Sequence, residues 1–215
     1  MKRSKSSRAW LDEHVSDPYV REAKARGYRS RAAFKLLELD ARERLLRPGQ
    51  LVADLGAAPG SWAQVVLQKI GARGRLVGVD LLPIEPLPGA TFIRGDFTDP
   101  AVERAVAESL GGARPDLVLS DLAPNISGVD AADQARALVL AELAVDFALK
   151  HLQPEGVVLV KAFQGEEFPQ LLNLMRKSFR SISVRKPKAS RDRSPEQYVV
   201  GRGRRGSRPA QVARS

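Results

Sequence analysis

The run Leu51-Val52-Ala53-Asp54-Leu55-Gly56-Ala57-Ala58-Pro59-Gly60-Ser61-Trp62 constrains this chain more than any other stretch. Small and apolar residues interrupted only by Asp54 lead straight into a glycine turn, and an apolar-periodic segment follows from Ala63 to Ile70. That order predicts a buried strand, a tight turn and a helix, the opening unit of a doubly wound α/β domain. In such a domain the ligand lies beyond the carboxyl ends of the strands, where glycine lets the backbone come close.

The turn also narrows the ligand. A dinucleotide site presents backbone N–H groups to a pyrophosphate. Pro59 lacks that donor, and Gly56 and Gly60 do not have the spacing of a G-x-G-x-x-G loop. A phosphate loop ending in Gly-Lys-Ser/Thr is absent from the sequence as well. A glycine turn without phosphate equipment suits S-adenosylmethionine, which carries an adenosine and an amino acid but no phosphate. The structural alternative is a strand-to-helix turn with no ligand.

Downstream, the pattern alternates between strand and helix. Strands are predicted at Arg75–Leu82, Thr91–Asp96, Asp116–Asp121 and Gly156–Phe163. Helices are predicted at Pro100–Leu110, Asp130–Leu152 and Glu166–Phe179. Ser181–Lys186 and Gln197–Val200 read as an antiparallel pair. Before the glycine turn, Trp10–His14 and Pro18–Ala25 look helical, and Ser30–Leu46 forms a longer helix with Ala33, Leu36, Leu37 and Leu45 inward. The expected product is a mostly parallel sheet with right-handed crossovers, helices on both faces and an antiparallel edge strand. No internal repeat and no second domain is visible.

Charge separates the chain into three parts. The net charge of +10 is concentrated in residues 1–35 and 180–215, with a mildly acidic middle. Clustered positive charge is an electrostatic footprint for nucleic acid. Near the N-terminus, Trp10, Tyr19, Tyr28 and Phe34 are interleaved with the basic residues, able to stack on bases or to dock on the core. From Gly201 onward the simplest reading is a solvated basic tail. With no cysteine, disulfides and thiolate metal sites are excluded, and His14 and His151 do not make a metal site by themselves. No apolar run could span a bilayer, and the polar N-terminus is not a secretory signal. The chain is therefore expected in the cytoplasm.

Three predicted strands end in carboxylates: Asp80, Asp96 and Asp121. Strand ends of a parallel sheet converge, so these acids should line one cleft. Asp80 stands where an acid accepts from ribose hydroxyls. Asp96 could accept from an adenine amino group, and Asp121 lies near the glycine turn, where a sulfonium would sit. Singly, each could equally be a turn or capping acid. Lys161 follows Val157-Val158-Leu159-Val160 at the end of a central strand, and lysines are almost never buried without a partner. It either snorkels to the surface or stands beside Asp121, tuned by burial and a second cation to act as a general base.

These residues sit in motifs that resemble the FtsJ/RrmJ (RlmE) family. The matching pieces are Ser30-Arg31-Ala32-Ala33-Phe34-Lys35, the Asp54–Trp62 run, Asp80-Leu81-Leu82-Pro83, Gly95-Asp96-Phe97, Ser120-Asp121-Leu122-Ala123-Pro124-Asn125, Val160-Lys161-Ala162-Phe163-Gln164-Gly165, and Arg185-Lys186-Pro187 through Ser194-Pro195-Glu196-Gln197-Tyr198. The likeness runs from about Trp10 to Val200. It implies a Rossmann-like class I methyltransferase fold with a seven-stranded sheet. It implies methylation of the ribose 2′-hydroxyl of a uridine in large-subunit (23S) ribosomal RNA, within late subunit maturation, by a cytoplasmic monomer using S-adenosylmethionine and no metal. Two alternatives stay open: another RNA such as transfer RNA, or a non-catalytic RNA-binding assembly factor.

By motif position the resemblance implies a catalytic set of Lys161 as proton acceptor with Lys35, Asp121 and Glu196. It implies cofactor contacts at Gly60, Trp62, Asp80, Asp96 and Asp121. The family often has Gly where Ser61 stands and Met where Leu122 stands. Lys35 could instead contact an RNA phosphate. The implied division is a basic, partly helical arm over 1–29, a methyltransferase domain over 30–203, and a basic disordered tail over 204–215.

Overall fold

A computed structural model describes residues 17–124, 130–191 and 194–206. The element order is α1 (Pro18–Ala25), α2 (Ala32–Glu43), β1 (Leu51–Leu55), α3 (Ser61–Ile70), β2 (Arg75–Asp80), β3 (Ala90–Arg94), α4 (Pro100–Ser109), β4 (Leu117–Ser120), α5 (Asp130–His151), β5 (Val157–Phe163), α6 (Phe168–Ser178), β6 (Phe179–Arg185) and β7 (Glu196–Arg204). The seven strands form one sheet in the order β3-β2-β1-β4-β5-β7-β6. β1 through β5 pair in parallel, and β7 runs antiparallel to both β5 and β6. The antiparallel strand thus sits one place in from the edge, and the outermost strand is β6.

Side-chain alternation sorts the core into two layers. Leu51, Ala53 and Leu55 of β1 pack with Val118, Val158 and Val160 under α4, α5 and α6. Val52 packs with Leu117, Leu119, Leu159, Tyr198 and Val200 against Ala33, Leu36 and Leu39 of α2 and Trp62, Val65 and Val66 of α3. Both faces of the central strands are therefore dry, which explains their nearly continuous apolar sequence.

Element boundaries shift from expectation where caps and turns intervene. The helix expected over Ser30–Leu46 is α2, which stops at Glu43 because Arg44 is left-handed at φ 51°. The Asp40 carboxylate then accepts from the Leu46 N–H at 2.8 Å. Leu39 rather than Leu37 completes the inward stripe. β3 ends at Arg94, so Asp96 lies in the turn beyond it.

The last strand is the main correction to the tail reading. Residues Gly201–Arg204 continue β7, because its backbone bonds to β5 on one side and β6 on the other. A side chain at Gly201 would collide with the Phe179 ring at 2.8 Å, so these glycines serve packing. Arg202 pairs with Glu43, and Arg205 Nε donates to the Phe179 carbonyl at 2.8 Å. The expected helix at Trp10–His14 and residues 207–215 lie outside the described residues.

Candidate functional site

β1 and β4 are neighbours in the sheet although β2 and β3 come between them in sequence. This is the switch point of the topology, where an open α/β sheet has its crevice. A pocket of about 230 Å³ opens there, lined among others by Gly56, Ala58, Asp80, Asp96, Phe97 and Asp121. Gly56 has φ 84°, and a Cβ on it would come within 2.9 Å of the Leu122 backbone nitrogen. Only glycine lets β1 turn this tightly against the end of β4. The Ala58–Pro59 bond is cis.

The three acids expected at strand ends do converge on this pocket. Asp80 Oδ2 accepts from the Ala58 N–H and Oδ1 from the Leu82 N–H, each at 2.9 Å, so its carboxylate is fixed between two loops. Asp96 accepts from the Thr98 N–H at 2.9 Å and its hydroxyl at 2.7 Å, and these bonds hold its pKa below the ordinary value. The pocket therefore presents fixed acceptors and negative charge. Such a lining accepts hydroxyl, amine and sulfonium groups and repels phosphate.

Trp62 is placed differently. Its ring is buried and packs at 5.8 Å from Tyr198, and Nε1 donates to the Ala32 carbonyl at 2.8 Å. What it offers the turn is its backbone N–H in the first turn of α3, which has no intrahelical acceptor. Gly60 caps that helix at φ 98°. The Ser61 hydroxyl is buried and accepts from Ser30 Oγ at 2.8 Å, which accommodates its extra atoms.

Beside the pocket, sheet register assembles two ion pairs. Ser120 is aligned with Val160, so Asp121 and Lys161 leave adjacent strands together. Lys161 Nζ is 3.2 Å from Asp121 Oδ1, and its side chain is only 10% exposed. β7 completes the group, with Lys161 opposite Tyr198 and Phe163 opposite Glu196. Glu196 is buried and its Oε1 lies 2.6 Å from Lys35 Nζ, which reaches over from α2. Burial alone would raise the Glu196 pKa, but the Lys35 ammonium, with Lys161 behind it, outweighs burial and lowers it. All four residues singled out from sequence therefore meet at one end of the sheet.

Sequence reasoning missed three participants. Tyr198, read as part of an edge strand, donates its hydroxyl to Asp121 Oδ1 at 2.8 Å. Burial and the charges of Asp121 and Glu196 push its pKa well up, so it stays a neutral donor. Arg29 read as one more cation of the basic arm. Its guanidinium donates to the carbonyls of Pro59 at 3.0 Å, Glu85 at 2.8 Å and Pro86 at 3.3 Å, clamping two loops of the pocket. Asp54, named only as part of the turn, is fully buried, and neither carboxylate oxygen has a hydrogen-bond partner among the described residues. Burial first, then the charges of Asp121 and Asp80, push its pKa up to about 8.

The described parts of the two basic ends meet beside α2. Arg31 pairs with Asp17 and donates to the Ala189 carbonyl. Glu38 of α2 accepts from the Lys188 N–H at 2.6 Å and the Ala189 N–H at 3.0 Å. Among the described residues, no group of three or more His, Cys, Asp or Glu side chains could hold a metal ion. No described helix is long and apolar enough to cross a membrane.

The chain is similar to known proteins in sequence and in fold. A family model described as FtsJ-like methyltransferase matches residues 28–204. A ribosomal RNA large subunit methyltransferase E of Azoarcus sp. (strain BH72) is 57% identical over 201 residues, covering 94% of this chain and 98% of the relative. The protein of the same name from Pseudomonas aeruginosa PAO1 is 54% identical over 206 residues, covering 96% and 100%. Among solved structures, a Plasmodium falciparum chain described as a ribosomal RNA methyltransferase superposes with a TM-score of 0.73 at 29% identity, over 82% of this chain and 98% of that one. Aeropyrum pernix fibrillarin, solved with S-adenosyl-L-methionine, shares the fold at 18% identity and a TM-score of 0.53, over 79% of this chain and 73% of its own.

Proposed function

Because the chain belongs to the FtsJ-like methyltransferase family, we propose that it methylates the ribose 2′-hydroxyl of a uridine in large-subunit (23S) ribosomal RNA, with S-adenosylmethionine as methyl donor. The observation that carries the reading is the meeting of Lys161–Asp121 and Lys35–Glu196 beside the glycine-turn pocket. The donor fits the pocket's chemistry. Asp80 would accept from its ribose hydroxyls and Asp96 from its adenine amino group. Asp121 would face its positive end, and the backbone at Gly60 and Trp62 would line the turn. When bound, it supplies an electrophilic methyl group on a sulfonium whose charge is lost on transfer.

The remaining work falls to side chains. Lys161, entering the step as the free amine, would take the proton of the 2′-hydroxyl whose oxygen attacks the donor's methyl carbon, the carbon–sulfur electron pair staying with sulfur. Asp121, held by the Tyr198 hydroxyl, keeps Lys161 aimed at that oxygen. Lys35 and Glu196 fix the opposite wall. The short pairing and burial of Lys35 favour this role over a phosphate contact. Alignment of oxygen, methyl and sulfur accounts for much of the acceleration. The substrate is the RNA within a late large-subunit particle, met in the cytoplasm by a monomer whose core spans 30–204 between basic ends.

Mass-spectrometric mapping of ribose methylation in cells with and without the protein tests the reading. One methyl group on a large-subunit uridine should vanish and return with the wild-type gene. It should not return with Lys161→Ala, nor with Lys161→Arg, since a guanidinium holds its proton. Purified Lys161→Ala should bind S-adenosylmethionine within a few-fold of wild type by calorimetry. Its methyl transfer should fall by about 10²-fold or more. An unchanged methylation map, or a variant that loses cofactor affinity instead, would count against the assignment.

A further inference from the structure

A second hollow, of about 360 Å³, is lined by Phe163, whose ring centroid lies 5.8 Å from Lys161 Nζ. Phe163, Pro124 and Pro195 give it flat or rigid apolar walls, and Gln164 and Gln134 give it polar edges. We propose that this hollow receives the base of the target nucleotide, swung out of the RNA stack, and that Gln164 reads a keto oxygen on that base. The inference rests on Lys161 being the acceptor of the 2′-hydroxyl proton.

Covalent geometry supplies the first argument. The 2′-oxygen and the base sit on adjacent ribose carbons. With the hydroxyl at Lys161 the base must therefore lie within about one sugar's width. The pocket over Gly56 and Asp96 is taken by the methyl donor. Phe163 is two residues along β5 from Lys161, and Lys161 Nζ lies 5.8 Å from its ring centroid. Phe163 is thus the wall shared by the proton acceptor and the hollow. Its volume lies within the range of small-ligand sites.

The lining supplies the second. An extruded base is held by stacking on aromatic or apolar side chains and read by hydrogen bonds at its edge. Phe163 offers the stacking face, and the prolines add contact at little conformational cost. Gln164 Oε1 accepts from Gln197 Nε2 at 3.4 Å, and the Gln164 N–H donates to the Pro195 carbonyl at 2.8 Å. With its oxygen turned toward Gln197, the amide shows its NH₂ to the hollow. That NH₂ donates to the keto oxygen of uracil and opposes the amino group that cytosine carries in its place.

The test is methyl transfer by the full-length protein to large-subunit particles that lack the methyl group and carry uridine or cytidine at the mapped position. Gln164→Glu, at an exposed side chain, should lose about tenfold in kcat/KM on uridine and narrow or invert the preference over cytidine. Phe163→Ala should lose about tenfold or more through KM for the particle, and Phe163→Tyr should recover it. Calorimetric affinity for S-adenosylmethionine should stay at the wild-type level in all three variants, which also reports folding. An unchanged uridine-to-cytidine ratio in Gln164→Glu, with unchanged particle KM in Phe163→Ala, would overturn the base pocket while leaving the methyltransferase reading intact. Absence of ribose methylation by the wild-type protein would overturn both.

Discussion

Asp54 is the residue whose environment contradicts its usual charge. It is the fourth of the five residues of β1, with both oxygens unpartnered among the described residues, and burial with two acidic neighbours pushes its pKa up to about 8. Its folded value lies above its unfolded one, near 4. The native state therefore holds a proton that the unfolded chain releases over this interval, and stability falls as pH rises from about 4 to about 8. The slope from one such proton is at most about 1.4 kcal/mol per pH unit. Asp54→Asn keeps the shape without the ionisation. Thermal melts from pH 5 to pH 9 should show a flatter profile for this variant, with its gain over wild type largest at the alkaline end. Parallel profiles for the two proteins would mean that Asp54 stays charged in the fold.

Among the elements, the loop-clamping segment before α2 has the clearest consequence. Arg29 bridges the turn entering α3 and the loop after β2 through three carbonyls. Arg29→Ala should lower stability by about 1.5–3 kcal/mol, the range for hydrogen bonds to a charged group. It should also weaken S-adenosylmethionine binding several-fold while leaving residual turnover. Calorimetry and chemical denaturation check both, and Arg29→Lys should not restore the clamp, because an ammonium lacks the planar fork. This clamp was not legible in the sequence, where Arg29 is one cation among many and carbonyl acceptors leave no signature. The glycine turn, the parallel alternation and the convergence of Asp80, Asp96 and Asp121 were legible, because strand ends of a parallel sheet must share an edge. Tyr198 was legible as strand but not as a partner of Asp121, since that contact depends on which strand lies next to β5. The Gly-Arg repeat of β7 looked like a tail because its packing partners Phe179 and Arg180 lie more than twenty residues earlier.

At the scale of the whole molecule, the basic ends divide into cations used by the fold and cations left to solvent. Arg31 is tied to Asp17 and the Ala189 carbonyl, and Arg202 to Glu43. Lys188 is exposed on the loop that Glu38 holds by its backbone. RNA affinity should fall steeply with salt, and Lys188→Ala should lower the slope of log K against log salt by about one. Arg202→Ala should instead lower the melting temperature and leave that slope nearly unchanged. Filter binding across a salt series with thermal melts separates the two groups, and a flat salt response would remove the basic ends from RNA binding.

The slot that β7 fills between β5 and β6 has a consequence for the order of events during synthesis. The wall over Gly56, Asp80 and Asp121 comes from one contiguous stretch, whereas Glu196 must travel back to Lys35 across most of the chain. Contacts so distant along the polymer form late. A growing chain therefore builds its donor-side wall before its acceptor side exists, and the final strand acts as the latch that turns a binding fold into a working one.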